Sequence, residues 1–389
     1  MLPLPSPIER CLVLERRANV EWESRGVTNP GTIRLPDCSI AMMYRGCSAA
    51  DVGYLGFCRL DPDGRHVIGH TRTSEPLNRR DPRELREFPD GCGDPRVTKG
   101  DGWYYVWATG RDNAQLVRNR KAYGNDFNGQ YLGGRQTVAF RTKDFAQLEF
   151  LGLYGPEEFD KNSFLHPETI AIDGATYYVF FHRVQYSVQA LLVRSVTDLA
   201  CRQVWRRHVS NLADFTLLRP EFAWEGIAPM SEWPGSVAGG APPLLLAPNV
   251  LPRILNCRQS YWLMFYNASG HPRKDKVARD RRVGVILFKL KDRPSTTGQP
   301  FEIVARAPEP LLLPAEQYEF GAPNGDVVFA TGAVVTLDKK GVDLFFGSGD
   351  VAISKARFDL RQLLEYLCQF DGHGNPSCSN LERSVHATQ

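Results

Sequence analysis

The sequence lacks every short motif by which common nucleotide- and metal-dependent enzymes are identified. It contains no Walker loop, no G-x-G-x-x-G, no H-E-x-x-H and no G-x-S-x-G. These absences give no support to a phosphate-loop, dinucleotide, zincin or hydrolase-elbow enzyme, because each class uses its motif to hold a phosphate, a metal or a nucleophile. Any chemistry must therefore come from polar residues that lie far apart in the sequence.

Long apolar runs and a strong net charge are also missing. No run reaches the roughly 18 apolar residues of a membrane-spanning helix. The net charge of +3 is too small to argue for a nucleic-acid partner. The proline-rich start, Met1–Pro7, has no apolar core of secretory length. We therefore expect a protein that acts without a membrane or nucleic acid.

The nine cysteines form no C-x-x-C or C-x-x-H pair. Their odd number and scattered positions are typical of reduced thiols rather than of a disulfide framework or a zinc site. We therefore expect a cytoplasmic protein with no metal.

What the sequence does contain is a pair of apolar runs repeated five times. The first runs are rich in aromatic and aliphatic residues and comprise Ser39–Arg45, Trp103–Trp107, Thr176–His182, Tyr261–Tyr266 and Val342–Phe346. Their partners are Gly53–Arg59, Gln136–Arg141, Ala190–Arg194, Arg282–Lys289 and Ala352–Arg357. The repeat is irregular, at roughly 60 to 85 residues, and exceeds a bare four-stranded blade of about 40 to 50 residues. The excess predicts long loops, which carry function in such folds.

Five equivalent strand pairs favour an all-β, five-bladed β-propeller over the alternative, a β-sandwich. The predicted domain spans the whole chain, 1–389, with blades at roughly 25–90, 91–160, 161–250, 251–325 and 326–366. The N-terminal segment is a candidate to close the ring. One short C-terminal helix is predicted at Asp359–Phe370, because Leu360, Leu363, Leu364 and Leu367 share one face. A polar tail, 371–389, follows it.

Four polar groups follow or precede the aromatic runs, where the strand ends of a propeller converge. Asp94 precedes Pro95, which favours extended backbone at the aspartate. The other three groups are Lys161–Glu168, the pair His182 and Arg183, and Phe346–Asp350. Each also has an ordinary structural interpretation, as a surface turn, a connecting loop, a buried histidine or a hairpin.

These groups belong to a larger set that resembles a known family. The set comprises Asn29–Gly31, Gly93–Arg96, Pro167–Glu168, His182–Arg183, Gly239–Pro243, Pro308–Leu312, Tyr318–Glu319, Val327–Gly332 and Gly347–Asp350. In this order, over residues 25–366, it resembles the β-mannoside phosphorylases of glycoside hydrolase family 130. The long insertions and scattered cysteines are closer to the eukaryotic branch, glycosyltransferase family 108, which builds and degrades β-1,2-mannan. Two departures stand out: Gly93 replaces a residue that is usually acidic, and the polar insertion at 111–134 disturbs the arginine spacing.

The resemblance implies a five-bladed fold and inverting mannosyl transfer between mannose 1-phosphate and β-1,2-mannan oligosaccharides. It implies that Asp94 is the general acid, acting directly or through a mannose hydroxyl. Phosphate would be held by Arg111, Arg135, Lys161 and His182. The sugar would be held by Asn29, Arg45, Arg96, Glu168 and Asp350. No cofactor is implied beyond inorganic phosphate or mannose 1-phosphate as co-substrate, and the partners would be mannose and β-mannan oligosaccharides.

Two other functions remain open at this point. An inverting β-mannosidase would need a second carboxylate as general base, and Glu168 and Glu225 are its candidates. A catalytically silent propeller that binds carbohydrate or protein would need no acid at all. A nucleotide sugar as donor also stays open, and the glycan linkage and length rest on the resemblance alone.

Overall fold

The computed structural model describes residues 1–123, 134–184, 187–219, 222, 236–269, 281–320 and 326–377. Glu225 and the tail from residue 378 lie outside the described residues. The strands form five separate antiparallel sheets, which are the blades of a β-propeller. The predicted fold class is confirmed.

The blades follow one another along the chain, and the ring is closed by the first strand. That strand is β1 (Glu9–Leu14). Blade 1 contains β2 (Gly26–Arg34), β3 (Ile40–Cys47) and β4 (Gly53–Leu60). Blade 2 contains β5 (Cys92–Gly100), β6 (Trp103–Arg111), β7 (Arg135–Thr142) and β8 (Glu149–Leu153).

Blades 3 and 4 contain five strands each. Blade 3 has β9 (Asp160–Leu165), β10 (Ile170–Ile172), β11 (Ala175–Val184), β12 (Val188–Val193) and β13 (Thr216–Leu218). Blade 4 has β14 (Ser236–Gly239), β15 (Leu244–Leu245), β16 (Tyr261–Ser269), β17 (Arg281–Leu290) and β18 (Phe301–Arg306). Blade 5 has β19 (Val328–Val335), β20 (Gly341–Ser348) and β21 (Ala352–Asp359), and β1 pairs with β21 as its outer strand.

The described residues also form four α-helices outside the blades: α1 (Pro82–Glu87), α2 (Asn113–Tyr123), α3 (Arg202–Val209) and α4 (Leu360–Leu367). The predicted C-terminal helix is α4, in which the Asp359 side chain accepts a hydrogen bond from the Gln362 backbone N–H. All four leucines of its predicted apolar face are buried against blades 4 and 5. None of the helices in the described parts of the chain has the length and hydropathy needed to cross a bilayer.

The first strands of the blades line the axis and touch one another. A Cβ on Gly31 of β2 would lie 2.7 Å from the Pro95 carbonyl oxygen of β5, and one on Gly332 of β19 would lie 2.6 Å from that of Pro30. A Cβ on Gly239 of β14 would lie 2.9 Å from the carbonyl oxygen of Asn162 in β9. Glycine is required at such close backbone approaches.

Three of these inner strands carry a polar residue in the left-handed region. Asn29, Asp94 and Asn162 have φ of 51°, 55° and 62°. In β2 and β5 the pairing register also shifts at this point, as in a β-bulge. The extended backbone expected for Asp94 is therefore wrong, because the bulge overrides the preference imposed by the following proline. In a regular strand, successive side chains point to alternate faces. The bulge interrupts this alternation and so changes the direction in which the Asp94 side chain points.

Candidate active site

Asp94 lies near the start of the inner strand β5, held by side chains of blade 1. We call this end of the inner strands, where Asn29 and Lys161 also lie, the channel mouth. Its Oδ1 accepts a hydrogen bond of 2.6 Å from Asn29 Nδ2 and lies 3.8 Å from Arg45 Nη1. The Asp94 side chain is 18% exposed, so a ligand in the channel can reach it. The two left-handed residues, Asn29 and Asp94, thus meet across the junction of blades 1 and 2.

The surroundings of Asp94 favour its ionised form. Burial by itself raises the pKa of Asp94, but the Arg45 guanidinium, the hydrogen bond from Asn29 and two further cations outweigh it and lower this pKa to about 2. Arg45 responds in the opposite sense: burial lowers its pKa, but the nearby carboxylates, Asp94 first, raise it above the ordinary value. The site is therefore built around a carboxylate.

Asp51 holds the arginines of blades 1 and 2 in place. Arg111 donates to the Asp51 carboxylate at 2.8 Å and to its backbone carbonyl at 2.9 Å. Arg45 Nη2 lies 3.8 Å from the same carboxylate. Burial raises the pKa of Asp51, but Arg111 and Arg45 lower it below the ordinary value. The predicted phosphate ligand Arg111 is thus close to the site, with its charge matched by a carboxylate.

Arg135 and Lys161, two other predicted phosphate ligands, lie beside this network. Arg135 begins β7 and donates to Asn113 Oδ1 at 2.7 Å. Burial, then the guanidinium groups of Arg111 and Arg45, lowers the pKa of Arg135 to about 10. Burial, then the charges of two arginines, lowers the pKa of Lys161 well below its ordinary value, and Asp94 opposes this. Both cations therefore lie in the electrostatic range of Asp94.

Asp350 joins the site from blade 5. It follows β20 with φ of 56°, and a Cβ on Gly26 of β2 would lie 2.9 Å from its carbonyl oxygen. Its negative charge raises the pKa of Arg45. The structure thus brings Asn29, Arg45, Asp94 and Asp350 together, as the resemblance implies for residues around a mannose.

Arg96 does not face the channel, in contrast to its prediction as a sugar ligand. Its side chain is 0% exposed. It donates to the backbone carbonyls of Gly240 at 2.9 Å, Gly239 at 2.8 Å and Asp94 at 2.8 Å. Burial lowers its pKa to about 10. Because all of these donors are occupied, Arg96 ties blade 2 to blade 4 and orients Asp94 instead of contacting a substrate.

His182 is also placed differently from its prediction as a phosphate ligand. It is 0% exposed, with its Nε2 2.7 Å from His208 Nε2 and its Nδ1 3.4 Å from Asp160 Oδ1. Burial, then His182, lowers the pKa of His208 to about 2, so His208 is neutral. The strand turns His182 into the core next to Trp205, whereas its neighbour Arg183 lies on the other face.

Glu168 lies away from the site, which corrects its prediction as a sugar ligand and as a general base. It is exposed in the loop between β9 and β10, and its backbone carbonyl oxygen is 2.7 Å from His166 Nδ1. Lys161, in contrast, is near the start of β9. At about 3.3 Å per strand residue, the rest of β9 separates the two by roughly 13 Å before the loop begins.

Sequence reasoning missed Asp51 and Asn162. Asp51 occupies the turn between the second and third strands of blade 1, which is the place that Asp350 occupies in blade 5. Asn162 repeats the left-handed position of Asn29 and Asp94, is 2% exposed, and has no hydrogen-bond partner for either amide atom in the described part of the chain. Both residues occupy positions that recur in other blades. This recurrence can be detected in the sequence only when the blade boundaries are known.

A cavity of about 710 Å³ adjoins Arg135 between blades 2 and 3, and is also lined by Gln136, Glu157 and Arg202. Asp94 does not line this cavity, so we locate the chemistry at the channel mouth. Among the described residues no cluster of three histidine, cysteine or acidic side chains could hold a metal ion.

No protein-family model matches the chain. Two curated relatives are each 24% identical to it. The match to Beta-1,2-mannobiose phosphorylase of Listeria innocua covers 66% of this chain and 60% of the relative. The match to 1,2-beta-oligomannan phosphorylase of Thermoanaerobacter sp. covers 90% of this chain and 96% of the relative. The chain therefore matches under two thirds of the first relative and nearly all of the second.

Solved structures share the fold. The complex of Beta-1,2-mannobiose phosphorylase from Listeria innocua with β-1,2-mannobiose has a TM-score of 0.56 at 17% identity, over 94% of this chain and 96% of the other. A mannose phosphorylase from Leishmania mexicana in complex with phosphate has a TM-score of 0.51 at 13% identity, over 91% and 89%. A GDP-Man-dependent mannosyltransferase from the same organism has a TM-score of 0.54 at 14% identity, over 90% of each chain.

Proposed function

Since the chain is related to the β-mannoside phosphorylases of glycoside hydrolase family 130, we propose that it catalyses reversible mannosyl transfer between phosphate and β-1,2-mannan oligosaccharides. The observation that carries the proposal is the ligand-accessible carboxylate of Asp94 beside several cations at the channel mouth. Phosphate is already a nucleophile, so phosphorolysis needs an acid and a cationic pocket but no second carboxylate to activate water.

In the direction of breakdown, Asp94 gives its proton to the glycosidic oxygen. A phosphate oxygen attacks the anomeric carbon from the opposite face, the bond to the leaving sugar breaks, and α-mannose 1-phosphate forms. Asp94 is left as a carboxylate. In the reverse direction this carboxylate takes the proton of the acceptor hydroxyl while phosphate leaves.

The cations couple phosphate binding to the protonation of Asp94. Without ligand, the pKa of Asp94 is about 2, burial being outweighed by Arg45, Asn29 and other cations. An acid with that pKa is ionised at neutral pH and has no proton to give. A bound phosphate neutralises part of the nearby positive charge. The cations then lower the pKa of Asp94 less, so this pKa rises. The acid form of Asp94 is therefore more populated when the nucleophile is present.

Arg45 and Asn29 position the acid, and Asp350 lies where it can accept hydrogen bonds from sugar hydroxyls. Arg135 and Lys161 are the predicted phosphate ligands that lie beside Asp94 and have no carboxylate partner among the described residues. His182 and Glu168 have no part in this version of the mechanism.

The test is to incubate the purified protein with mannose 1-phosphate and a β-1,2-oligomannoside, and to follow phosphate release and chain extension. In the reverse reaction, proton NMR of the anomeric signal is expected to report α-mannose 1-phosphate as the first product. GDP-mannose serves as an alternative donor in a parallel reaction. Equal release of free mannose with and without phosphate would establish a hydrolase instead.

The cysteines support a reducing compartment, such as the cytoplasm, as the place of action. All eight cysteines in the described residues are free thiols, and Cys47, Cys58 and Cys92 are buried in strands or at their ends. Buried unpaired thiols persist where glutathione and thioredoxin keep them reduced.

A further inference from the structure

Asp350 lies in a tight turn between β20 and β21 that is held from two sides. Gly349 and Asp350 have φ of 57° and 56°. The Val351 N–H donates to the Ser348 carbonyl at 3.1 Å, as in a type I′ turn. On the blade 1 side, the Val27 N–H donates to the Val351 carbonyl at 3.2 Å. The direction of the Asp350 side chain therefore depends on the contacts that hold this turn.

On its other side the turn rests on residues 313–320 between β18 and β19, which we call the Glu319 loop. A Cβ on Gly349 would lie 2.3 Å from the Tyr318 carbonyl oxygen, so only glycine fits between the turn and the loop. The Gly349 N–H donates to the Val327 carbonyl, and the Val327 N–H donates to the Glu319 carbonyl, each at 3.0 Å. A shift of the Glu319 loop is therefore passed directly to the turn.

The Glu319 side chain fixes the loop and is itself fixed by Arg10. Its Oε2 accepts backbone hydrogen bonds from Ala315 at 2.8 Å and Glu316 at 3.0 Å, and it forms an ion pair with Arg10 of β1. Arg10 also donates to the Leu313 carbonyl at 3.0 Å. The Glu319 side chain is 0% exposed and that of Arg10 is 12% exposed, so the pair is shielded from water. Loss of Arg10 would leave a buried carboxylate without its counter-ion and so loosen the loop.

These contacts lead from the strand that closes the ring to the site around Asp94. Arg10 belongs to β1, which pairs with β21, and β21 begins two residues after Asp350. The Asp350 charge in turn raises the pKa of Arg45, which contacts Asp94. Because the Glu319 side chain is buried, it does not contact a ligand itself. Its effect on the site is transmitted through the turn.

We propose that Arg10 and Glu319 are positioning residues for sugar binding, acting through the turn that carries Asp350. The inference rests on the proposed function, in which Asp350 accepts hydrogen bonds from mannose hydroxyls. Hydrogen bonds to an ionised carboxylate are strong but weaken steeply when distance or angle is wrong. The ring-closing strand is then needed for sugar binding as well as for the stability of the fold.

The test is a double-variant cycle, measured as binding of a β-1,2-oligomannoside by isothermal titration calorimetry. We expect Asp350→Ala to weaken binding by about 10- to 100-fold, the contribution of a hydrogen bond to a charged group. Arg10→Met removes the guanidinium and displaces the carboxylate, so it is expected to lose part of that contribution, about 3- to 10-fold. Since both changes act on one contact, Arg10→Met should add almost nothing to Asp350→Ala in the double variant. Arg10→Lys keeps a cation and is expected to bind better than Arg10→Met.

Asp343→Asn is the matched control for loss of a buried ion pair in the same blade. Asp343 is 0% exposed and accepts two hydrogen bonds from Arg357, at 2.6 and 2.8 Å. β20 continues for five residues beyond Asp343, which at about 3.3 Å per residue separates it from the turn by roughly 17 Å. We therefore expect Asp343→Asn to lose stability but to bind the oligomannoside within about twofold of wild type.

Circular dichroism and thermal melts check the fold, and Glu319→Gln takes the place of Arg10→Met if that variant does not fold. Unchanged affinity of the variant, additive losses in the double variant, or an equal loss in Asp343→Asn would overturn the positioning role. Wild-type protein that binds no oligomannoside would also overturn it, because Asp350 would then hold no sugar. Binding with the expected coupling, but without phosphorolysis or chain extension from mannose 1-phosphate, would overturn the proposed function and leave the positioning role standing.

Discussion

The two halves of the channel mouth differ in how most of their cations are paired. In the half formed by blades 1 and 2, which we call the paired half, Arg45 and Arg111 contact the carboxylates of Asp94 and Asp51. In the half formed by blades 3 and 4, the open half, Lys161 and Arg281, which begins β17 and lowers the pKa of Lys161, contact no carboxylate in the described residues. Under the proposed function, the paired half holds the acid, while the open half, together with Arg135, meets the phosphate.

The largest expected effect comes from Asp94→Asn, which removes the acid from the paired half. General acid–base catalysis contributes about 10²- to 10⁴-fold, so we expect turnover to fall by that factor while phosphate binding persists. Steady-state kinetics with mannose 1-phosphate measure the loss. Asp101→Asn is the control, since Asp101 also has a left-handed backbone, with φ of 48°, but lies in the turn beyond the far end of β5. Near-normal turnover of Asp94→Asn would contradict the assignment.

Lowering the pH protonates Asp94 and so removes the negative charge that Arg45 contacts in the paired half. Burial raises the pKa of Asp94, but Arg45 and its other partners lower it to about 2, from 3.8 in the unfolded chain. A depressed pKa means that the carboxylate contributes stability above the unfolded pKa, and that this contribution is lost as the pH falls toward 2. The contribution is about 2 kcal/mol.

The contribution of the Asp94 carboxylate to the free energy of unfolding is measured by denaturant unfolding. The wild-type protein and Asp94→Asn are compared at several pH values from 6 to about 2.5. The difference in free energy of unfolding between the two is expected to shrink as the pH falls. A constant difference would show that the charge of Asp94 does not stabilise the fold.

Asp51→Asn removes the carboxylate that Arg111 contacts, and one of the two that Arg45 contacts, without changing the acid. Asp51 is 42% exposed, so we expect a modest loss in the free energy of unfolding, about 1 kcal/mol, and about a tenfold loss in turnover as Arg45 moves. Asp37→Asn is the matched control, because Asp37 pairs with Arg59 elsewhere in blade 1. Unchanged kinetics together with unchanged stability would mean that Asp51 does not organise the paired half.

The smallest kinetic effect is expected for His182→Leu. His182 is 0% exposed and bound to His208, so the Michaelis constant for phosphate should stay within about twofold. Leaving buried polar atoms of His208 unpaired should lower the free energy of unfolding by about 1 to 3 kcal/mol. A tenfold rise in the Michaelis constant at unchanged stability would restore His182 as a phosphate ligand.

The sequence allowed two strands of every blade to be predicted, together with helix α4 and the fold class. They are the second and third strands of blades 1, 2 and 5, and the third and fourth strands of blades 3 and 4. These strands are continuous runs of β-branched and aromatic residues, which is the pattern of strands buried on both faces. Asp94 became the predicted acid by another route, through a motif that resembles a known family.

The inner strands were not visible in the sequence, although they hold Asn29, Asp94 and Lys161. They contain glycine, proline and left-handed residues, which interrupt any alternation of polar and apolar side chains. The error at His182 has another cause. Adjacent strand residues point to opposite faces, so a register uncertainty of one residue exchanges His182 with Arg183.

The closure of the ring has a consequence for biosynthesis. Lys355 of β21 contacts Glu9 of β1 across 346 residues of chain. At ribosomal rates of about 5 to 20 residues per second, β1 waits roughly 20 to 70 s for its partner strand to emerge. During that time the growing chain holds four blades whose ring is still open. β1 is only six residues long and carries Glu9 and Arg10, features that discourage pairing with strands of other chains. We expect nascent chains halted before residue 352 to bind chaperones that full-length chains have released.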